Sequence, residues 1–235
     1  MGFTEILLNG LISGANFKTA YFVGMFVTVI VAYLIGSVNF AILFSRKQGN
    51  DVRESGSGNA GTTNMMRVYG RKFGIAVFVC DFFKGALAVS LGILFMPADG
   101  FGYLAAIFCM IGHIFPIYFN FRGGKGVAVF VGAAAVLNPV AAIISILMYI
   151  MVLLLSKYVS LSSMAMTLVF PLLNYYIPFS LFAMTGDVFD TVAFVNYLLR
   201  MLSPVLMAAI VCISHHANIK RLINGTENKA GSKKQ

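Results

Sequence analysis

TAYFVGMFVTVIVAYLIGSVNFAILFS, residues 19 to 45, runs for 27 positions without a charge and is closed by Arg46 and Lys47. A helix that crosses the hydrocarbon core of a bilayer needs about 20 apolar residues, so this stretch predicts a membrane span with cationic anchors. The remainder of the 235-residue chain repeats the pattern. Apolar residues make up 59% and charged ones 11%, and the mean hydropathy is +0.87; a soluble domain carries about 25% charge, so this composition cannot cover a water-facing surface.

Further spans are predicted over about 73 to 97, 100 to 119, 158 to 184 and the segment ending before His215. The stretch from Gly126 to Ser156 is 31 residues without a charge, interrupted by Asn138-Pro139. Proline inside a helix removes a hydrogen bond and clashes with the preceding turn, so two shorter crossing or half-crossing helices are expected there; a single span, giving five crossings in all, is the alternative. The basic residues fix the orientation. Fourteen of the 17 (Arg46, Lys47, Arg53, Arg67, Arg71, Lys72, Arg122, Lys125, Lys157, Lys220, Arg221, Lys229, Lys233 and Lys234) fall on one side, while Asp99, Asp187 and Asp190 fall on the other. The expected fold is therefore an all-α polytopic membrane protein of about seven transmembrane helices, N-terminus outside and C-terminus cytoplasmic. Residues 1–18 are expected to form an interfacial segment retained after synthesis, 19–215 the single membrane domain, and 216–235 a cytoplasmic basic tail.

The polar signals converge on the basic face. Gly56-Ser57-Gly58-Asn59-Ala60-Gly61-Thr62-Thr63-Asn64, running on to Arg67, satisfies G-x-G-x-x-G, but no βαβ unit surrounds it, so dinucleotide binding is rejected. It reads either as a loop whose glycines let N–H groups approach an anion, aided by Ser, Thr, Asn and Arg donors, or as a hydrated linker. Gly123-Gly124-Lys125-Gly126 lacks the earlier glycine and following Ser/Thr of a Walker loop. It can still bind phosphate through turn N–H groups and one ammonium, or else merely turn the chain and anchor it. Ser160, Ser162 and Ser163 begin a span, where serines often bond only their own helix. His215-His216 without carboxylates is a poor metal site. Cys80, Cys109 and Cys212 sit in apolar segments and read as packing residues. Asp81 and Lys84, each costing about 2.5 to 3.5 kcal/mol at mid-membrane, are three apart on one helix face and should pair.

Seven motifs in order then carry a resemblance: Gly-Ser-x-x-Phe at 36 to 40, Gly-Ser-Gly-Asn-x-Gly-x-Thr-Asn at 56 to 64, Asp81-x-x-Lys-Gly, Gly-His-x-x-Pro at 112 to 116, Gly-Gly-Lys-Gly-Val-Ala at 123 to 128, Tyr-Val-Ser-Leu-x-Ser at 158 to 163, and His-x-x-Asn-Ile-x-Arg-Leu at 215 to 222. The chain resembles, over about residues 25 to 228, the PlsY family of bacterial acyl-phosphate:glycerol-3-phosphate acyltransferases. The resemblance implies transfer of a fatty acyl group from acyl phosphate to the 1-hydroxyl of glycerol 3-phosphate, giving lysophosphatidate and phosphate, in the bacterial cytoplasmic (inner) membrane with the site on the cytoplasmic side. It implies no metal or other cofactor and no nucleic acid; the partners are the two substrates, membrane lipid and the upstream enzyme that forms acyl phosphate.

By position, Ser57, Arg67, Lys125, Ser163, His215 and Asn218 match the family's active-site residues, with Gly56, Gly58, Asn59, Thr63, Asn64, Gly123, Gly124 and Gly126 binding substrate. Arg67 and Lys125 would clamp phosphate, Ser57, Ser163 and Asn218 would orient groups by hydrogen bonds, and His215 would be either base or guide. The resemblance implies that the substrate's own phosphate takes the proton. Three departures are Asn39 in the first motif, Ala217 where an acid is common, and an N-terminal extension of about 20 residues. The H-x-x-x-x-D motif of other glycerolipid acyltransferases is absent, and carboxylates are nearly missing from the expected site. A transporter of a phosphorylated metabolite would use the same donors, but should show pseudo-symmetric halves with mid-membrane polar groups in both, and only Asp81 and Lys84 fit that; a scaffold for anionic lipid is the third reading.

Overall fold

The computed structural model describes residues 17–95, 99–182 and 191–231. The expected interfacial segment before Phe17 lies outside them. The described residues form ten α-helices and no strand: α1 (Phe17–Ser37), α2 (Phe40–Lys47), α3 (Thr62–Tyr69), α4 (Arg71–Phe95), α5 (Asp99–Ile114), α6 (Val127–Leu137), α7 (Pro139–Ser156), α8 (Val159–Phe182), α9 (Thr191–Ser214) and α10 (His216–Ile223). Five helical stretches, Thr19–Lys47, Arg71–Phe95, Gly100–Phe119, Pro139–Ser156 and Phe194–Ser214, are long and apolar enough to cross a membrane. Helices α6 and α8 add two more apolar elements, of 11 and 24 residues. At 1.5 Å per residue α6 reaches about 17 Å, roughly half the hydrocarbon thickness.

The chain breaks where the sequence predicts at Asn138. Its side chain accepts the Ala141 N–H at 3.0 Å and Pro139 occupies the first position of α7, a position where a missing N–H costs nothing. The first span differs from the expectation of one continuous helix. It is interrupted between Ser37 and Phe40, because the buried Asn39 side chain caps α2 by accepting the Ile42 N–H at 3.1 Å. An asparagine cap competes with helix continuation by satisfying backbone donors locally.

Helix α5 is the most enclosed of the five spans, with Phe101, Ala105, Ala106, Cys109 and Met110 buried. In lipid there is little hydrophobic drive between helices, so small residues that admit close backbones hold them together. A Cβ on Gly36 would lie 2.1 Å from the Cys109 carbonyl oxygen and one on Gly112 would lie 2.3 Å from that of Tyr33, so α1 and α5 interlock in both directions. Gly85 against Val129 O, at 2.3 Å, and Gly132 against Phe82 O, at 1.9 Å, lock α4 to α6 in the same way. The outward faces stay apolar: Ile143, Leu147, Leu154 and Leu155 of α7 are all exposed, as a surface that meets acyl chains requires.

Candidate active site

The first loop is built around Asn64. Its Oδ1 accepts the Ser57 N–H at 2.8 Å, and its Nδ2 donates to Val52 O at 3.0 Å and Ser55 O at 2.9 Å. Asn64 is buried and its amide is spent on shaping the loop. Gly56, with φ at +64°, passes so close that a Cβ there would lie 2.2 Å from Asn64 Oδ1. This leaves Ser57, Gly58, Thr63 and Arg67 exposed and Asn59 half-buried. Arg53, paired with Asp51 at 2.7 Å, donates to Phe119 O at 2.8 Å and Arg122 O at 2.9 Å, which fastens this loop to the next.

In the second loop the glycine N–H groups are already engaged: Gly123 donates to Ile114 O at 3.0 Å and Gly124 to His113 O at 3.1 Å. The expectation that these amides hold phosphate is therefore corrected. They fold the chain back on the end of α5, and glycine is needed because a Cβ on Gly124 would lie 2.2 Å from His113 Nε2 and 2.6 Å from Ala60 O. Gly126, at φ +81°, starts α6, so the unpaired amides nearest Lys125 are those of the first turn of α6, where the helix dipole is positive.

Lys125 is the hub of the third cluster. Its ammonium donates to Asn218 Oδ1, and Asn218 Nδ2 donates to Glu227 Oε1 at 2.6 Å. Ser160 Oγ donates to the same carboxylate oxygen at 2.7 Å, and Arg221 Nε pairs with Glu227 Oε2 at 2.6 Å. The Asn218 amide is thereby oriented, oxygen to the cation and nitrogen to the anion. Ser214 Oγ donates to Lys125 O at 3.1 Å, and the Ala230 N–H donates to Lys157 O at 2.7 Å, which ties the segment after α10 to the α7–α8 corner. Ser163 is buried one turn from Ser160, its hydroxyl donating to Val159 O at 2.9 Å. His215 is buried, and its Nδ1 donates to Val211 O at 2.8 Å, leaving Nε2 as a free acceptor.

Burial, then the Arg221 charge, lowers the Lys125 ammonium to about 8, with Glu227 opposing them. Burial, then the Lys125 charge, lowers His215 to about 4; Arg67, exposed on α3, takes no part. Burial raises the Glu227 carboxyl, but hydrogen bonds from Arg221, Asn218 and Ser160 outweigh it and leave the group below its ordinary value. Thus the structure brings Lys125, His215, Asn218 and the Ser160–Ser163 face together, with Ser57 on the adjoining loop and Arg67 on α3, the helix that follows that loop. Glu227 supplies one carboxylate to a site expected to be nearly free of them. Its signal in the sequence is that it is the one acidic residue after Asp190, amid a basic tail.

The described helices thus place cationic and hydroxyl donors together beside apolar, lipid-facing surfaces. The chain belongs to the glycerol-3-phosphate acyltransferase family, which it matches over residues 26–225. It is 38% identical to the glycerol-3-phosphate acyltransferase of Thermoanaerobacter sp. (strain X514) over 207 residues, 88% of this chain and 96% of that protein. Its identity to the Geobacillus kaustophilus (strain HTA426) enzyme is 39% over 203 residues, 86% of this chain and 93% of that one. The crystal structure of the integral membrane glycerol 3-phosphate acyltransferase PlsY in its glycerol 3-phosphate form superposes with a TM-score of 0.74 at 32% identity, covering 88% of this chain and 96% of that one. Its lysophosphatidic acid form gives 0.72 at 31% identity, covering 88% and 95%.

Proposed function

We propose that this membrane glycerol-3-phosphate acyltransferase takes its acyl group from acyl phosphate and places it on the 1-hydroxyl of glycerol 3-phosphate, releasing lysophosphatidate and inorganic phosphate. The reaction lies at the cytoplasmic face of a bacterial inner membrane, in a chain of seven crossings whose N-terminus is outside. The observation that carries this reading is the Lys125–Asn218–Glu227 chain beside a buried, neutral His215.

The 1-hydroxyl oxygen attacks the acyl carbonyl carbon. A new C–O ester bond forms, the bond from that carbon to the phosphate oxygen breaks, and phosphate departs with the bonding pair. Lys125, with the first-turn amides of α6, neutralises the charge growing on the leaving phosphate. At pH 7 a lysine lowered to about 8 is still about nine-tenths protonated, so it acts as a cation. Arg67 holds the phosphate of glycerol 3-phosphate, and Ser57, Ser163 and Asn218 orient the reacting groups. A histidine lowered to about 4 is a weak base, so the proton of the 1-hydroxyl passes to the phosphate oxygens of the donor, while His215 Nε2 accepts a hydrogen bond from the neighbouring 2-hydroxyl and so holds glycerol 3-phosphate in place. Purified protein in lipid mesophase tests this directly: phosphate release that needs both acyl phosphate and glycerol 3-phosphate is expected. Turnover with acyl-CoA and none with acyl phosphate would refute the donor.

A further inference from the structure

The ion pair in the membrane does more than neutralise itself. Lys84 Nζ, from α4, donates to Gly36 O at 3.1 Å and Val38 O at 2.6 Å, carbonyls freed by the break between α1 and α2, and lies 2.9 Å from His113 Nδ1 on α5. An ammonium has three protons and no acceptor, so these three partners use it fully and fix His113 Nδ1 as an acceptor. Asp81 Oδ1, 2.9 Å away, supplies the counter-charge without an aligned hydrogen bond. All three side chains are buried.

Two partners of that ammonium, Val38 and His113, each lead to one of the two loops of the site. Past Val38, the Asn39 Nδ2 donates to Ala60 O at 3.3 Å, in the loop that presents Ser57. His113 presses its Nε2 edge against Gly124, and its carbonyl accepts the Gly124 N–H, immediately before Lys125. Gly124 in turn lies against Ala60 O.

We propose that Lys84, with Asp81 and His113, is a positioning element that sets the Lys125 loop against the Ser57 loop. It touches no substrate. The inference rests on the function proposed above for those loops. A merely structural ion pair should tolerate neutral replacement of both members, since exchanging a buried pair for well-fitting neutral groups is often harmless to stability, whereas a register device should not.

The test is Asp81→Asn/Lys84→Met in the purified membrane enzyme, assayed beside wild type, Lys125→Ala and the combination. The double variant leaves the Gly36 and Val38 carbonyls and His113 Nδ1 without their donor and is expected to melt below the wild-type Tm; assayed below its own Tm it is expected to lose about 10- to 100-fold in kcat/KM, the scale of a misplacement near 1 Å, and to cost less than about twofold more in the Lys125→Ala background because both act through one loop. Wild-type kcat/KM, or losses that multiply in full, would overturn the proposal. Should the double variant not fold, His113→Asn, whose Oδ1 keeps an acceptor for Lys84, is expected to retain about tenfold more activity than His113→Leu, and equal activity would overturn it. Binding of labelled glycerol 3-phosphate is measured on the same samples. If wild type binds it but is inert with acyl phosphate, the donor reading fails alone, and the proposal stands or falls on whether the Kd of the double variant rises about fivefold or is unchanged.

Discussion

Lys125 and Asn218, 93 positions apart, are joined by a hydrogen bond from the ammonium to the amide oxygen, and Asn218 passes on to Glu227 through its amide nitrogen. A cation is thus connected to an anion through a polar group that cannot itself ionise. The arrangement keeps Lys125 charged and aimed without cancelling its charge by direct contact.

Lys125→Ala is expected to lose about 2 to 4 kcal/mol of transition-state stabilisation, the scale of one electrostatic donor, seen as a fall in kcat/KM with wild-type Tm. Lys125→Arg should recover only part, since a planar fork does not replace a compact ammonium. Full activity in the alanine variant would remove Lys125 from the site.

The lysine also sets an alkaline limit. Activity that needs the ammonium should fall as pH rises through about 8. Glu227 opposes that lowering, so Glu227→Gln removes a nearby negative charge and should move the limb to lower pH. A limb that stays in place in the variant would show that another group titrates.

His215→Gln is expected to raise KM for glycerol 3-phosphate and to leave the pH profile between 5 and 8 unchanged in shape, because a histidine lowered to about 4 does not titrate there. An acidic limb near pH 6 to 7 that disappears in the variant would make His215 the base.

Glu227 links folding to pH as well. Its carboxyl is held below its ordinary value, so the charged form favours the folded state: the contribution is present above the unfolded value and is lost as pH falls through the folded one. Thermal stability should therefore decline on acidification more steeply in wild type than in Glu227→Gln. Parallel curves would deny the link.

Orientation can be read by labelling. With the native cysteines replaced, single cysteines at Gln48 and Asn224, both exposed, should react with impermeant maleimide only after the cytoplasmic side is opened. Labelling of either from outside would reject the shared-face site.

The apolar runs and Asn138-Pro139 disclosed the helices because lipid forces every backbone group to bond within its own helix, which makes span length and breaks visible along one dimension. The break at Asn39 was not visible: it is stabilised by Lys84, 46 to 48 residues away, and no local pattern announces such a partner. Lys125 and His215 stood out by charge and pKa. The glycines of 123 and 124 were recognisable as special but not for the right reason, since the same residue admits either a ligand or a packed histidine. Glu227 was hidden because its role depends on the return of the chain after α10, and loop paths carry no periodicity.

That return has a consequence for how the enzyme comes into being. Glu227 follows every apolar helix in chain order, and Ala230 fastens its segment to Lys157. A nascent chain can therefore have all of its helices in the bilayer and still lack a finished site. If Glu227 orients Asn218 in the working site, a chain truncated just before that segment should insert fully and show no turnover.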